Sequence, residues 1–81
     1  MVRMPYFLMV YDRQAARILE LREFAEAERD DAMRLRDARE ETEMDNERIE
    51  VVLFGAESED ALRRTHGRYF GLSGTLAARK Q

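Results

Sequence analysis

Eighty-one residues with a net charge of −3, no cysteine and one histidine describe a single small domain, and they exclude disulfides, thiolate zinc and a histidine-rich metal site within one chain. No run approaches the roughly 18–20 apolar residues of a membrane span. The first apolar stretch meets Tyr11, Asp12 and Arg13 with no small-residue cleavage site, so a cytoplasmic protein is expected.

The first element is "PYFLMVYDR". Tyr6 to Val10 is an apolar and aromatic run bounded by Pro5 and a polar turn, and it reads as a strand. Phe7, Met9 and Tyr11 share one face; Tyr6, Leu8 and Val10 share the other. Both faces are apolar, so both need cover. "RILELREF" follows. As a second strand it pairs with the first through "DRQAAR", although that turn lacks the Gly and Asn of common hairpins. Its Ala and Glu content favours helix instead. The hairpin is the preferred reading and a helix the alternative.

"AERDDAMRLRDAREET" reads as a helix with a thin stripe of Ala32, Leu35 and Ala38. Asp30–Arg34 and Arg36–Glu40 are spaced as exposed ion pairs. The like-charge pairs Glu41–Asp45 and Glu43–Glu47 should end it near Thr42. "RIEVVLFGA" is the best strand of the chain, β-branched and closed by Gly55. Ile49, Val51 and Leu53 face one way; Glu50, Val52 and Phe54 face the other.

"SEDALRRTHGRYFGL" reads as a second helix, N-capped by Ser58 and ended by Gly71, with Leu72 closing it. Residues 1–72 are expected to form the domain and 73–81 a flexible basic tail. The fold class is α+β: a small sheet of three strands in the order β-β-α-β-α, or β-α-β-α if "RILELREF" is helical. The crossover between the second and third strands should leave them parallel. The third strand then lies beside the first, in sheet order 2-1-3. If both helices cover one face, the other exposes an apolar patch of the kind that marks an interface. A homodimer is therefore expected, stacked face to face or extended edge to edge, with Phe7, Met9, Tyr11, Val52 and Phe54 as its interface candidates. Self-association would also support a core this small.

Charge is uneven along the chain. From Gln14 to Arg48 there are 7 Arg and 12 Asp and Glu, a balance of −5; from Ala61 to Gln81 there are 5 basic residues and no acid. Arg63, Arg64 and Arg68 are thus anion-binding candidates. Helix electrostatics explain them as well, since Glu59 and Asp60 precede Arg63 and Arg64 by four residues. A net-negative domain with paired arginines makes a poor nucleic-acid binder. His66 lies beside the apolar stripe of Leu62, Thr65 and Tyr69. Packing is its ordinary role there, and acid–base work would need Asp12 or Glu50 within reach. No phosphate loop, nucleophile elbow or zinc-finger motif occurs, and neither a cofactor nor a metal is expected.

"MPYFLMVYD", together with a strand followed by "SEDAL", resembles the small dimeric α+β barrel proteins of the YCII-like group. That resemblance implies a β-α-β-β-α-β order and a dimer, with a His–Asp pair in a cleft in some members. The chain departs from it in having no convincing strand after its last helix. The function expected is a small non-catalytic interaction or accessory module that pairs with itself. The alternatives are a small-molecule-binding protein or enzyme using His66 with Asp12 or Glu50, and a weak anion or nucleic-acid binder through the basic last helix.

Overall fold

The structure is a computed structural model that describes residues 4–70. Strands β1 (Tyr6–Asp12), β2 (Arg17–Phe24) and β3 (Ile49–Gly55) form one sheet in the order β2-β1-β3. β1 runs antiparallel to both neighbours. β2 and β3 therefore point the same way on either side of it, as the crossover requires. Two helices, α1 (Arg29–Thr42) and α2 (Glu59–Thr65), complete an α+β fold in the order β-β-α-β-α. The barrel-type strand order is absent among the described residues. The expected tail, with Gly71 and Leu72, lies outside them.

β1 is the centre of the core because it is apolar on both faces and paired on both edges. Every residue from Phe7 to Asp12 is buried. Phe7 stands opposite Phe54, Met9 opposite Val52 and Tyr11 opposite Glu50, which sets these six on one face. Against that face pack Leu62 of α2, then Tyr69 and Phe70 from a short 3₁₀ turn, Gly67–Phe70. Phe7, Met9 and Leu62 are fully buried, each worth roughly 1.5–3 kcal/mol against exposure.

The other face carries Leu8 and Val10, exposed by no more than 4%. It is covered by α1, which packs on β1 and β3. Ala32 of α1 is fully buried, and Arg39 is ion-paired to Glu20, the residue opposite Val10. The helices thus take opposite faces. Phe7, Met9 and Tyr11 are covered within the chain, and no outward apolar face is left on β1 for stacking.

Three local details differ from the sequence expectation. The β1–β2 turn closes without Gly or Asn because Asp12 does their work: its Oδ1 accepts hydrogen bonds from Gln14 N–H and Ala15 N–H, both at 3.0 Å. Ala16 then takes a left-handed φ of 56°. On α1 the ion pairs formed are Asp31–Arg34 and Arg36–Asp37, not Asp30–Arg34 and Arg36–Glu40. Finally, α2 stops at Thr65 instead of running to Phe70. Ser58 caps it as expected, its Oγ accepting from Ala61 N–H at 3.1 Å. At the far end the Thr65 hydroxyl turns back on the Ala61 and Leu62 carbonyls, and His66 leaves helical geometry ahead of Gly67. That break carries Tyr69 down onto the sheet.

Candidate functional site

Two arrangements stand out: a polar cluster around Glu50 and Tyr69, and the outer edge of β3.

The polar cluster joins β3 to the 3₁₀ turn. The Tyr69 hydroxyl donates to Glu50 Oε2 at 2.7 Å and accepts from the Arg68 guanidinium. Arg13 approaches the other carboxylate oxygen at 3.4 Å and also donates to the Glu47 carbonyl at 3.0 Å. Arg68 lies over the Tyr69 ring at 3.9 Å, and the Tyr11 ring meets Tyr69 edge-on at 4.9 Å. Burial, followed by the bond to Glu50, pushes the Tyr69 phenol above its ordinary pKa. The neutral phenol is therefore the form that fits the fold, and this support weakens only as pH rises past that of a free tyrosine. Both Glu50 carboxylate oxygens and the Tyr69 hydroxyl have partners within the cluster, so it acts as a clasp. Arg68, which has no acid at helical spacing, finds its acid here at 3.6 Å.

Asp12 sits on the opposite face of the sheet, opposite Ile49. Besides its two turn amides it accepts from Arg48 Nε at 3.2 Å and Nη2 at 2.5 Å. The Arg48 guanidinium, helped by the Ala15 amide, holds its carboxyl down at about 2. A carboxylate so fully committed is a structural tie between the hairpin turn and the start of β3.

His66 is half-buried. Its ring packs on Phe54 at 4.3 Å, and its Nδ1 lies 2.8 Å from the Thr65 hydroxyl. Both ring contacts are local to the α2 side, with Asp12 on the other face and Glu50 engaged by Tyr69. The structure does not assemble a His–carboxylate pair from these residues. Among the arginines, Arg63 pairs with Glu59 at 2.8 Å and lies over the Phe70 ring at 4.6 Å. The expected Arg64–Asp60 pair is not formed. The three candidates Arg63, Arg64 and Arg68 therefore do not converge on one point: one is tied to its own helix and one to β3. Among the described residues no group of His, Asp and Glu could hold a metal ion, and no helix is long and apolar enough to cross a membrane.

The edge of β3 has a readable hydrogen-bond pattern. At one end of the ladder Arg13 N–H donates to the Arg48 carbonyl at 2.7 Å; at the other, Ala56 N–H donates to the Pro5 carbonyl at 3.2 Å. Antiparallel ladders alternate between bonded and non-bonded pairs. Arg48, Glu50, Val52, Phe54 and Ala56 thus turn their peptide groups toward β1. Ile49, Val51, Leu53 and Gly55 turn theirs outward. The Ile49 amide is used by the Asn46 carbonyl at 3.1 Å. The amides of Val51, Leu53 and Gly55 and the carbonyls of Ile49, Val51, Leu53 and Gly55 form an array with no partner among the described residues.

Family models, curated proteins and solved structures give no match to this chain. Its functional reading rests on the site geometry alone. The sequence allows an edge-to-edge dimer but does not single out the edge of β3, whose residues it presents by face. The signal that could have found it is the alternation of outward amides in an apolar strand bearing one charge.

Proposed function

We propose that this chain is a small, non-catalytic interaction module that receives a partner strand along the edge of β3. The observation that carries the reading is the row of outward peptide groups at Val51, Leu53 and Gly55, set between half-buried apolar side chains. Exposed edges of this kind are templates for strand addition. Support also comes from the polar groups elsewhere. Glu50, Tyr69, Arg68, Arg13, Asp12 and Arg48 are consumed by one another, and His66 is a packing residue on Phe54.

Amide hydrogen exchange on the dilute protein tests it. Val51, Leu53 and Gly55 should exchange much faster than Glu50, Val52 and Phe54, whose amides bond to β1. Slow exchange at the three outward positions in dilute monomer would mean that the chain covers its own edge, and the reading would fall.

A further inference from the structure

Resting on that reading, we propose that the strand received is β3 of a second copy, paired antiparallel about a two-fold axis through Val52, so that two three-stranded sheets become one.

The backbone pattern selects this pairing. About Val52, residue 51 faces 53 of the partner copy and 49 faces 55. The outward groups of both strands then meet as bonded pairs. Val51 N–H reaches the facing Leu53 carbonyl, Leu53 N–H the facing Val51 carbonyl, and Gly55 N–H the facing Ile49 carbonyl. Every free amide of the edge is satisfied. The Ile49 amide, already bonded to Asn46, is the one this register does not need. Pairing about Val51 would leave Gly55 N–H without a partner. Pairing about Leu53 would satisfy the amides but leave Ile49 and Glu50 beyond the overlap. Only the Val52 register pairs the whole strand from Ile49 to Gly55.

Side chains and charge agree. Opposite residues share a face, so Val52 meets Val52, Val51 meets Leu53 and Glu50 meets Phe54. The two Glu50 carboxylates are set apart, whereas an in-register parallel pair would bring like charges together. Each Glu50 is also held on its own domain by Tyr69. A head-to-tail alternative, β3 on β2, would propagate into a filament. It is blocked by β2 itself, whose outer edge is broken by a bulge at Leu19 and lined by Arg17, Glu20, Arg22 and Glu23. Pairing β3 with β3 consumes both open edges and stops at two copies.

The chain has no cysteine, so single cysteines report the register. In a non-bonded antiparallel pair the Cα atoms lie about 4.5 Å apart, within reach of a disulfide. Oxidised Val52→Cys should run as a covalent dimer. Leu53→Cys, about 8 Å from its own copy in this register, should not. Light scattering on the unmodified protein from micromolar to millimolar concentration should show a rise from monomer to dimer mass and no further. Monomer mass throughout would overturn the proposal without touching the open-edge reading, which amide exchange decides. A dimer that cross-links through Leu53→Cys and not Val52→Cys would overturn the register.

Discussion

The two edges of this sheet are built by opposite means. β2 carries a bulge at Leu19 and alternates charge along its length, with Arg17, Glu20, Arg22 and Glu23 on a strand of eight residues. β3 carries one charge, Glu50, already engaged by Tyr69, and its remaining side chains are apolar or glycine. The same three-stranded sheet thus presents one edge unsuited to pairing and one suited to it. The difference lies in what else each strand must do. β2 is bound to its neighbour by a tight turn, meets the α2 side through Ile18 and Leu21, and is tied to α1 by the Glu20–Arg39 ion pair. β3 arrives after a crossover and is fixed by several ties: Asp12 to Arg48 at its start, Tyr69 to Glu50 along it, α1 on one face, and Phe54 packed on the Leu62 and Tyr69 clusters on the other. An apolar strand satisfies both helices, and its edge is then apolar as well.

The contrast breaks most visibly if the cover on the α2 side is loosened. Leu62 is fully buried against Phe7 and Ala56. Leu62→Ala should cost about 2–5 kcal/mol, the lost burial plus the cavity left. In urea unfolding the midpoint should fall with an unchanged slope. Leu21 of β2 and Phe54 of β3 both pack on the Leu62 cluster, so amide protection should fall in both strands. A loss confined to one strand would show that the two edges draw on separate sources of stability.

Much of this was legible in the sequence because periodicity records faces. The strand order, the capping Ser58 and the end of α1 near Thr42 follow from strand patterning, capping chemistry and like charges; the hairpin is preferred although its turn lacks Gly and Asn. What was not legible depends on three-dimensional juxtaposition. The helices take opposite faces because α1 presents Ala32 and allows close approach, which no stripe count reveals. Arg68 was left without an acid because its partner, Glu50, is distant in sequence. The α2 stripe of Leu62, Thr65, His66 and Tyr69 looked continuous, yet the Thr65 hydroxyl and Gly67 end the helix. Tyr69 reaches the core by another path. Phe7, Met9 and Tyr11 were recognised as important for a surface, and they are the core itself.

The tie at the start of β3 is pH-dependent, and its sign follows from Asp12. The carboxyl titrates near 3.8 when unfolded and at about 2 when folded. Between those values the unfolded chain binds the extra proton, so stability rises with pH. The contribution is complete above pH 3.8 and disappears as pH falls through about 2. Thermal melts across this window should therefore show a falling midpoint for the native protein. Asp12→Asn should be less stable at neutral pH and should show a flatter profile between those limits. A native profile as flat as that of the variant would mean that Asp12 and Arg48 are not engaged in solution. In that case β3 would be held by its ladder with β1, the Tyr69–Glu50 bond and its packing against the helices.

The smallest effect tests the closed side. Ala16 sits in the hairpin turn at φ 56°, a conformation that costs a residue with a Cβ about 1–2 kcal/mol. Ala16→Gly removes that strain but adds freedom to the unfolded chain, worth about 0.4–1 kcal/mol in the opposite direction. The net should be a gain of between about 0 and 1.6 kcal/mol, read as a small rise in melting temperature. Since Asp12 supplies both turn hydrogen bonds, the gain should vanish in an Asp12→Ala background if the turn then opens. It should persist if strand pairing alone holds the turn. The second result would place the stability of the β2 edge in its ladder with β1 and not in the turn.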